Sequence, residues 1–232
     1  MDKRILGLLP FRCLLFPLCF GAASILFDKS LDDLSKWWAL FAVGINVVCI
    51  ILLCAVNKGD YKGFINYEKG KTKIKLVVAV VVLTLVVGMS GMYAAGYLCY
   101  GEFPYLDVKM IQPLPIFAAV LCVVFLPLST TLAEDGIYLG VINKSNGNTG
   151  VTFMSAFFYA AQHSFIPLLP DGQFMLYRFI SFLPLTLLFC FWYRKIRNPL
   201  PFMAGHFVIN LSTVAMLLIT AISPDTFETI KI

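Results

Sequence analysis

The sequence has few charged residues. Only 13% of its 232 residues are charged, whereas 59% are hydrophobic, and the mean hydropathy is +0.84. Soluble globular domains have about 25% charged residues and about 45–50% apolar residues. A soluble protein of this length has too little interior to bury so much apolar surface, so lipid must surround most of the chain. This composition excludes the soluble, disordered and collagen-like classes.

The sequence also lacks any C-x-x-C pair. All seven cysteines lie inside apolar stretches, so they are predicted to be small buried hydrophobic residues and neither zinc ligands nor a disulfide framework. The net charge of +5 does not predict nucleic-acid binding, because most basic residues occupy short loops between apolar runs. The expected surroundings of the chain are a lipid bilayer.

Long apolar runs predict an all-α polytopic membrane protein with a single membrane domain, residues 1–232. A membrane-spanning helix needs about 20 mostly apolar residues, and seven runs approach that length. The predicted spans are Ile5–Phe27, Trp37–Val56, Leu76–Tyr100, Pro113–Ile142, Val151–Leu169, Phe174–Tyr193 and Leu200–Ser223.

The charges of the loops predict an orientation. Cytoplasmic loops carry an excess of Lys and Arg. Here the N-terminus and the even-numbered loops are basic, and the odd-numbered loops carry most of the acidic residues. The basic loop residues include Lys3, Arg4, Lys58, Lys62, Lys69, Lys71, Lys73, Lys75, Lys144, Arg194, Lys195 and Arg197. We therefore expect a multi-pass protein of the cell membrane with a cytoplasmic N-terminus.

Six ionisable residues interrupt the predicted spans: Arg12, Glu134, Asp135, His163, Arg178 and His206. Each costs about 2.5–3.5 kcal/mol at mid-span, so such residues are functional candidates. Arg12 and Arg178 lie near span ends, where long side chains can reach the interface. Glu134 and Asp135 need a polar cavity, a partner or protonation.

The only two histidines of the chain, His163 and His206, are predicted at a depth similar to that of Glu134. These three side chains are expected to share one hydrated cavity that opens toward the cytoplasm. One acid and two imidazoles can bind a divalent metal such as zinc or activate a water directly. Asn210 follows His206 by one helical turn and can donate to a developing oxyanion. Proton or ion transport also uses buried acids and imidazoles.

These residues resemble the motifs of the CAAX protease and bacteriocin-processing family of intramembrane proteases, also called CPBP or Abi. That family has E-E-x-x-x-R on one span, F-x-x-x-H on the next and H-x-x-x-N on a later one. The corresponding residues in this chain are Glu134 and Asp135, Tyr159 and His163, and His206 and Asn210. The motif-bearing core covers about residues 113–223, and the first three spans match only as apolar helices.

The resemblance implies an endopeptidase that acts on a peptide or protein substrate within the membrane. Glu134 would be the base that activates water, His163 and His206 would position the water and stabilise charge, and Asn210 would help to form the oxyanion hole. The resemblance leaves open a metal held by Glu134, His163 and His206 or a metal-free glutamate mechanism.

The first motif departs from the family. Asp135 replaces the second glutamate, and Leu139 stands where the family has arginine. Either Arg12 or Arg178 supplies the missing charge, or Asp135 is protonated, or the site is impaired. Two alternatives follow. The first is a catalytically silent membrane binding or immunity partner of the same fold. The second is a small proton-coupled transporter, against which the sequence shows no inverted repeat.

Overall fold

The structure, a computed structural model, describes residues 3–230; residues 1, 2, 231 and 232 of the predicted domain lie outside the described residues. This part of the chain is helical and contains no strand. Its α-helices are α1 (Lys3–Phe27), α2 (Leu31–Ser35), α3 (Trp38–Val56), α4 (Tyr61–Phe64), α5 (Ile74–Tyr100), α6 (Ile116–Thr130), α7 (Gly136–Lys144), α8 (Thr149–Ala161), α9 (Gly172–Ile196), α10 (Leu200–Ile222) and α11 (Pro224–Ile230). Short 3₁₀ turns cover Val108–Ile111 and Gln162–Phe165, and a π turn covers Thr131–Asp135. The prediction of an all-α polytopic membrane protein is confirmed.

Within residues 3–230, six helices are long and apolar enough to cross a membrane: Arg4–Phe27, Trp38–Val56, Ile74–Tyr100, Ile116–Lys144, Gly172–Ile196 and Leu200–Ile222. The predicted fifth spanning helix, Val151–Leu169, is the exception. Its α-helix, α8, has 13 residues and passes into the 3₁₀ turn Gln162–Phe165. Ile166 is extended because it precedes Pro167, which disfavours helical backbone. The expectation of seven full-length spanning helices is therefore wrong at this position.

Hydrogen bonds between loops show that the even-numbered loops meet at one end of the bundle. Asn66 Nδ2 donates to the Arg197 carbonyl at 2.6 Å, and Arg197 Nη1 donates to Asn143 Oδ1 at 3.1 Å. Asn66 and Arg197 belong to the second and sixth loops, and Asn143 lies in the last turn of α7, beside the fourth loop. We call this end of the molecule the basic end, since the charge pattern predicts that it is cytoplasmic.

The odd-numbered loops meet at the opposite end. Trp38 Nε1 donates to the Met110 carbonyl at 3.1 Å, and Lys109 Nζ lies 3.5 Å from Asp171 Oδ2. The long helices connect these two ends, and α8 with the segment 162–171 joins the fourth loop to the fifth. The cytoplasmic side of the N-terminus stays a prediction from the charge rule.

Small residues allow the central helices to pack closely. A methyl group at Gly91 of α5 would overlap the carbonyl oxygen of Ser181 of α9, and one at Gly205 of α10 would overlap the Thr84 hydroxyl of α5. Close approach at small residues is a common packing mode of membrane helices. Together with α6, these helices surround a group of buried polar residues.

Candidate active site

A cavity of about 460 Å³ lies among α5, α6, α9 and α10. Glu134, His163 and His206 line one of its ends, and Asp107 and Arg178 line the other, with mostly apolar side chains between them. The cavity runs toward the loop that joins α5 to α6, away from the basic end. Its lining includes Leu106 and Asp107 of that loop, and the opening toward the cytoplasm stays a prediction.

A π turn presents both acids to polar partners inside the bundle. Thr131–Asp135 forms this turn between α6 and α7, and Glu134 and Asp135 are both buried. Such turns displace the register of a helix and often occur at functional sites. The Tyr61 hydroxyl donates to the Leu132 carbonyl at 2.7 Å and so satisfies a carbonyl inside the turn. Gly136 is needed beside it, because a methyl group there would lie 2.9 Å from the Tyr61 hydroxyl.

Arg12 and Gln162 hold the carboxylate of Glu134. Arg12 Nη2 lies 2.8 Å from Glu134 Oε1, and Gln162 Nε2 donates to Glu134 Oε2 at 2.7 Å. Arg12 Nη1 also donates to Gln162 Oε1 at 2.6 Å, and Nη2 donates to Asn46 Oδ1 at 2.7 Å. Arg12 is fully buried, with 0% of its surface exposed. This network fixes the carboxyl group of Glu134 in one orientation.

Neither arginine pairs with Asp135, contrary to one of the alternatives weighed for the missing motif arginine. Arg12 pairs with Glu134, and Arg178 pairs with Asp107 at 3.1 Å, at the far end of the cavity. Both arginines are buried, so neither side chain reaches out to the membrane interface. Leu139, which occupies the position of the family arginine, is fully buried in the hydrophobic core.

Asp135 is bound by Tyr159 and His206 instead. The Tyr159 hydroxyl donates to Asp135 Oδ1 at 2.6 Å. Its oxygen lies 2.9 Å from His206 Nδ1, which also lies 3.3 Å from Asp135 Oδ2. Since the single proton of the Tyr159 hydroxyl goes to Asp135, the Nδ1 atom of His206 must be the donor toward these oxygens. When the His206 ring is neutral, its Nε2 atom therefore has a free lone pair.

His163 presents its Nε2 atom in the same way. Its Nδ1 lies 2.9 Å from the Tyr159 carbonyl, which only accepts hydrogen bonds, so Nδ1 carries the proton and Nε2 is free. Nε2 of His163 lies 3.9 Å from Glu134 Oε2, and Nε2 of His206 lies 3.8 Å from the same oxygen. These distances exceed direct hydrogen bonds and suit a bridging water.

Asn210 completes the set of residues predicted from the sequence. It follows His206 on α10 and lines the same cavity. Its Nδ2 atom is buried and has no hydrogen-bond partner among residues 3–230. A buried amide donor without a partner is costly, so this group is suited to donate to a bound molecule in the cavity. All five predicted site residues, Glu134, Asp135, His163, His206 and Asn210, therefore lie in or directly behind one cavity wall.

Sequence reasoning missed three residues of the network. Gln162 joins Arg12 to Glu134, Tyr138 donates to Gln162 Oε1 at 3.0 Å, and Asn46 accepts from Arg12. Each is a neutral polar residue inside an apolar run. The position of Gln162 directly before His163 is the one sequence signal that pointed to it.

The arrangement does not fit the metal considered for Glu134, His163 and His206. Among residues 3–230, no group of three or more His, Cys, Asp or Glu side chains has the geometry to hold a metal ion. The Arg12 guanidinium binds Glu134 Oε1 and the Gln162 amide binds Oε2. A cation at this carboxylate would have to compete with a fixed positive charge, so these residues do not support a metal-dependent step.

Comparison of the chain with known protein families, with curated proteins and with solved structures finds no match.

Proposed function

We propose that the chain is an intramembrane endopeptidase that uses Glu134 to activate a water molecule. The observation that carries the proposal is the convergence of three atoms: Glu134 Oε2 lies 3.9 Å from Nε2 of His163 and 3.8 Å from Nε2 of His206. A water molecule between them can donate one hydrogen to Glu134 Oε2 and the other to one ring nitrogen. A water about 2.8 Å from Oε2 and from a ring nitrogen fits these spacings.

The bound water would have both of its hydrogens directed to acceptors, which leaves a lone pair free for attack. Its oxygen forms a bond to the carbonyl carbon of a peptide group while Glu134 takes one proton. The negative charge that develops on the carbonyl oxygen is stabilised by the free Nδ2 donor of Asn210. When the carbon–nitrogen bond breaks, Glu134 returns that proton to the leaving amine, and a carboxyl group and an amine result.

Asp135 and Tyr159 act through His206 in this proposal. They accept from and orient the ring, so that Nε2 stays free toward Glu134. This is the orienting role that a third group gives to a catalytic imidazole in other hydrolases. The missing arginine at Leu139 is then no defect, because hydrogen bonds from Tyr159 and His206 satisfy Asp135.

The walls of the cavity favour an apolar peptide segment as the substrate. Met89 of α5 and Ser212 of α10 line the cavity and are both exposed. A hydrophobic chain in the bilayer would enter the cavity between these two helices. The cell membrane is the proposed location.

The test is cleavage of a pool of membrane-spanning peptides by the purified full-length protein in lipid nanodiscs, read by mass spectrometry. We expect defined products from the wild type and at least about a 100-fold loss of rate in Glu134→Gln, because the amide cannot accept the proton. Glu102→Gln, which changes an exposed acid in the loop after α5, is the matched control and should cleave normally. Equal cleavage by Glu134→Gln would contradict the proposal.

A catalytically silent membrane binding partner is the second candidate. The observation in its favour is that Arg12 and Gln162 occupy both oxygens of Glu134, which leaves fewer lone pairs of that carboxyl group for a water molecule. This candidate predicts that no peptide in the pool is cleaved and that Glu134→Gln retains whatever biological activity the wild type has.

A further inference from the structure

The end of the cavity farther from Glu134 holds a second buried polar pair. Arg178 and Asp107 are each 3% exposed, and both line the cavity. Arg178 Nη1 donates to Asp107 Oδ2 at 3.1 Å. Among residues 3–230, Arg178 Nε and Asp107 Oδ1 have no hydrogen-bond partner. The pair therefore has one donor atom and one acceptor atom without a partner.

A single aromatic ring links this pair to the site. The Arg178 guanidinium carbon lies 5.0 Å from the centre of the Phe182 ring, and that ring stacks on His163 with 3.6 Å between the centres. The guanidinium is therefore no more than about 9 Å from the His163 ring, because both contacts share Phe182. An extended peptide covers this distance with two to three residues at roughly 3.3–3.6 Å each.

We propose that Arg178 and Asp107 form a binding site for one backbone amide group of an extended peptide. A peptide group offers one carbonyl acceptor and one N–H donor. The guanidinium, with five N–H donors, donates to the carbonyl, and Asp107 accepts from the N–H. This inference rests on the proposed function, since it places the bound amide two to three residues from the bond that is cleaved.

Binding of a backbone amide fixes the position of the peptide along the cavity and does not select any particular side chain. The cavity between the two polar ends is lined mostly by apolar groups such as Met89, Leu126 and Leu185, which discriminate weakly among apolar side chains. The polar pair therefore fixes how far the peptide enters, and the rest of the cavity accepts varied apolar residues.

The experiment measures binding, so that it is independent of cleavage. The probes are acetylated trileucine amide and three analogues, each with one N-methylated peptide nitrogen, titrated into the full-length protein in nanodiscs and followed by calorimetry. Mass spectrometry checks that the peptides stay intact. The variant is Asp107→Leu combined with Arg178→Met, which replaces both partners with apolar groups of similar size and avoids an unpaired charge. The control removes the charges of the ion pair Lys109–Asp171 by Lys109→Met with Asp171→Asn.

For the wild type and the control we expect one analogue to bind about tenfold more weakly than the parent peptide, because its methyl group removes the N–H that Asp107 accepts. In the double variant the same two peptides should bind within about twofold of each other. An equal penalty in the double variant, no penalty in the wild type, or no binding by the wild type would overturn the inference.

If the double variant does not fold, the binding measurement on Arg178→Lys tests the inference instead. This variant keeps the charge but loses the guanidinium fork, so affinity for the parent peptide should fall at least about threefold; unchanged affinity would overturn the inference. If the N-methylation penalty depends on Arg178 and Asp107 but no peptide is cleaved, the proposed hydrolysis is refuted and the amide site stands. If peptides are cleaved but the penalty does not depend on this pair, the amide site is refuted and the hydrolysis stands.

Discussion

Arg12 Nη2 lies 2.8 Å from Glu134 Oε1, with both side chains buried. The first helix thus supplies the counter-charge for an acid in the middle of the α6–α7 helix. Gln162 bridges the pair, because its side-chain oxygen accepts from Arg12 and its side-chain nitrogen donates to Glu134. A charge held in this way is fixed in position before any substrate binds.

Arg12→Met should strongly destabilise the protein, because it leaves Glu134 without its counter-charge in a buried place. We expect a loss of about 3–5 kcal/mol in the free energy of unfolding, measured by denaturation in detergent. Lys195→Met, which removes an exposed positive charge, should change stability by less than about 0.5 kcal/mol. The double variant Arg12→Met with Glu134→Gln should recover part of the loss, and no recovery would show that the two side chains do not interact.

Leu139→Arg restores the arginine of the family motif and should nevertheless destabilise the protein. Leu139 is fully buried, and Asp135 already accepts from Tyr159 and lies beside His206. The new guanidinium is surplus, and burying it without a free partner costs about 3 kcal/mol or more. Leu139→Met, which nearly conserves volume, should cost less than about 1.5 kcal/mol. A melting temperature of Leu139→Arg at or above that of the wild type would show that Asp135 needs a cation.

Tyr159→Phe should lower peptide cleavage by at least about tenfold while the fold persists. The change removes the hydroxyl that donates to Asp135 and accepts from His206, so the ring of His206 loses one of the two groups that orient it. The check is kcat/KM together with the melting temperature. Tyr97→Phe, at an exposed tyrosine, is the control. Full activity in Tyr159→Phe would remove Asp135 and Tyr159 from the site.

Asp171 caps the N-terminus of α9 and makes a pH-dependent contribution to stability. Its Oδ1 accepts from the backbone N–H groups of Gln173 and Phe174 at 3.0 and 3.1 Å, and the bond from Phe174 is the main cause that lowers the pKa of Asp171. Because the folded pKa lies below the unfolded one, this stabilisation is present above the unfolded pKa and is lost as the pH falls through the folded pKa.

Asp171→Asn keeps a capping side chain but removes its titration. We expect the melting temperature of this variant to fall less steeply than that of the wild type between about pH 5 and pH 2. Asp171→Ala should cost about 1 kcal/mol at neutral pH through loss of the cap. Asp28→Asn, at an exposed aspartate, should follow the wild-type curve, and an Asp171→Asn curve that does the same would refute the cap as the titrating group.

The spanning helices were predictable because a long apolar run in lipid must satisfy its own backbone hydrogen bonds. The prediction of a spanning helix over residues 151–169 is wrong, because the composition stays apolar beyond the end of α8. Pro167 and Pro170 indicate that the helix stops early, because proline disfavours helical backbone at and before its own position.

The ionisable residues of the site were also predictable, because placing Glu134, His163 or His206 in the bilayer costs much free energy. Gln162 was not predictable, since a neutral amide costs less free energy in the bilayer and therefore stands out less in the sequence. The partner of Arg12 depends on how α1 packs against residues far along the chain, and spacing contains no information on that contact. The π turn is likewise a product of tertiary packing, here through Tyr61 and Gly136.

The most direct test of the proposed hydrolysis is cleavage by Glu134→Asp in ¹⁸O-labelled water. The variant keeps the negative charge for Arg12 but withdraws the carboxylate by one methylene, about 1.5 Å, from the water position between His163 and His206. We expect wild-type products to carry one ¹⁸O atom in the new carboxyl group. The variant should lose at least about 100-fold in rate with a melting temperature within a few degrees of the wild type. Wild-type products without ¹⁸O, or an undiminished rate in Glu134→Asp, would contradict a water activated by Glu134.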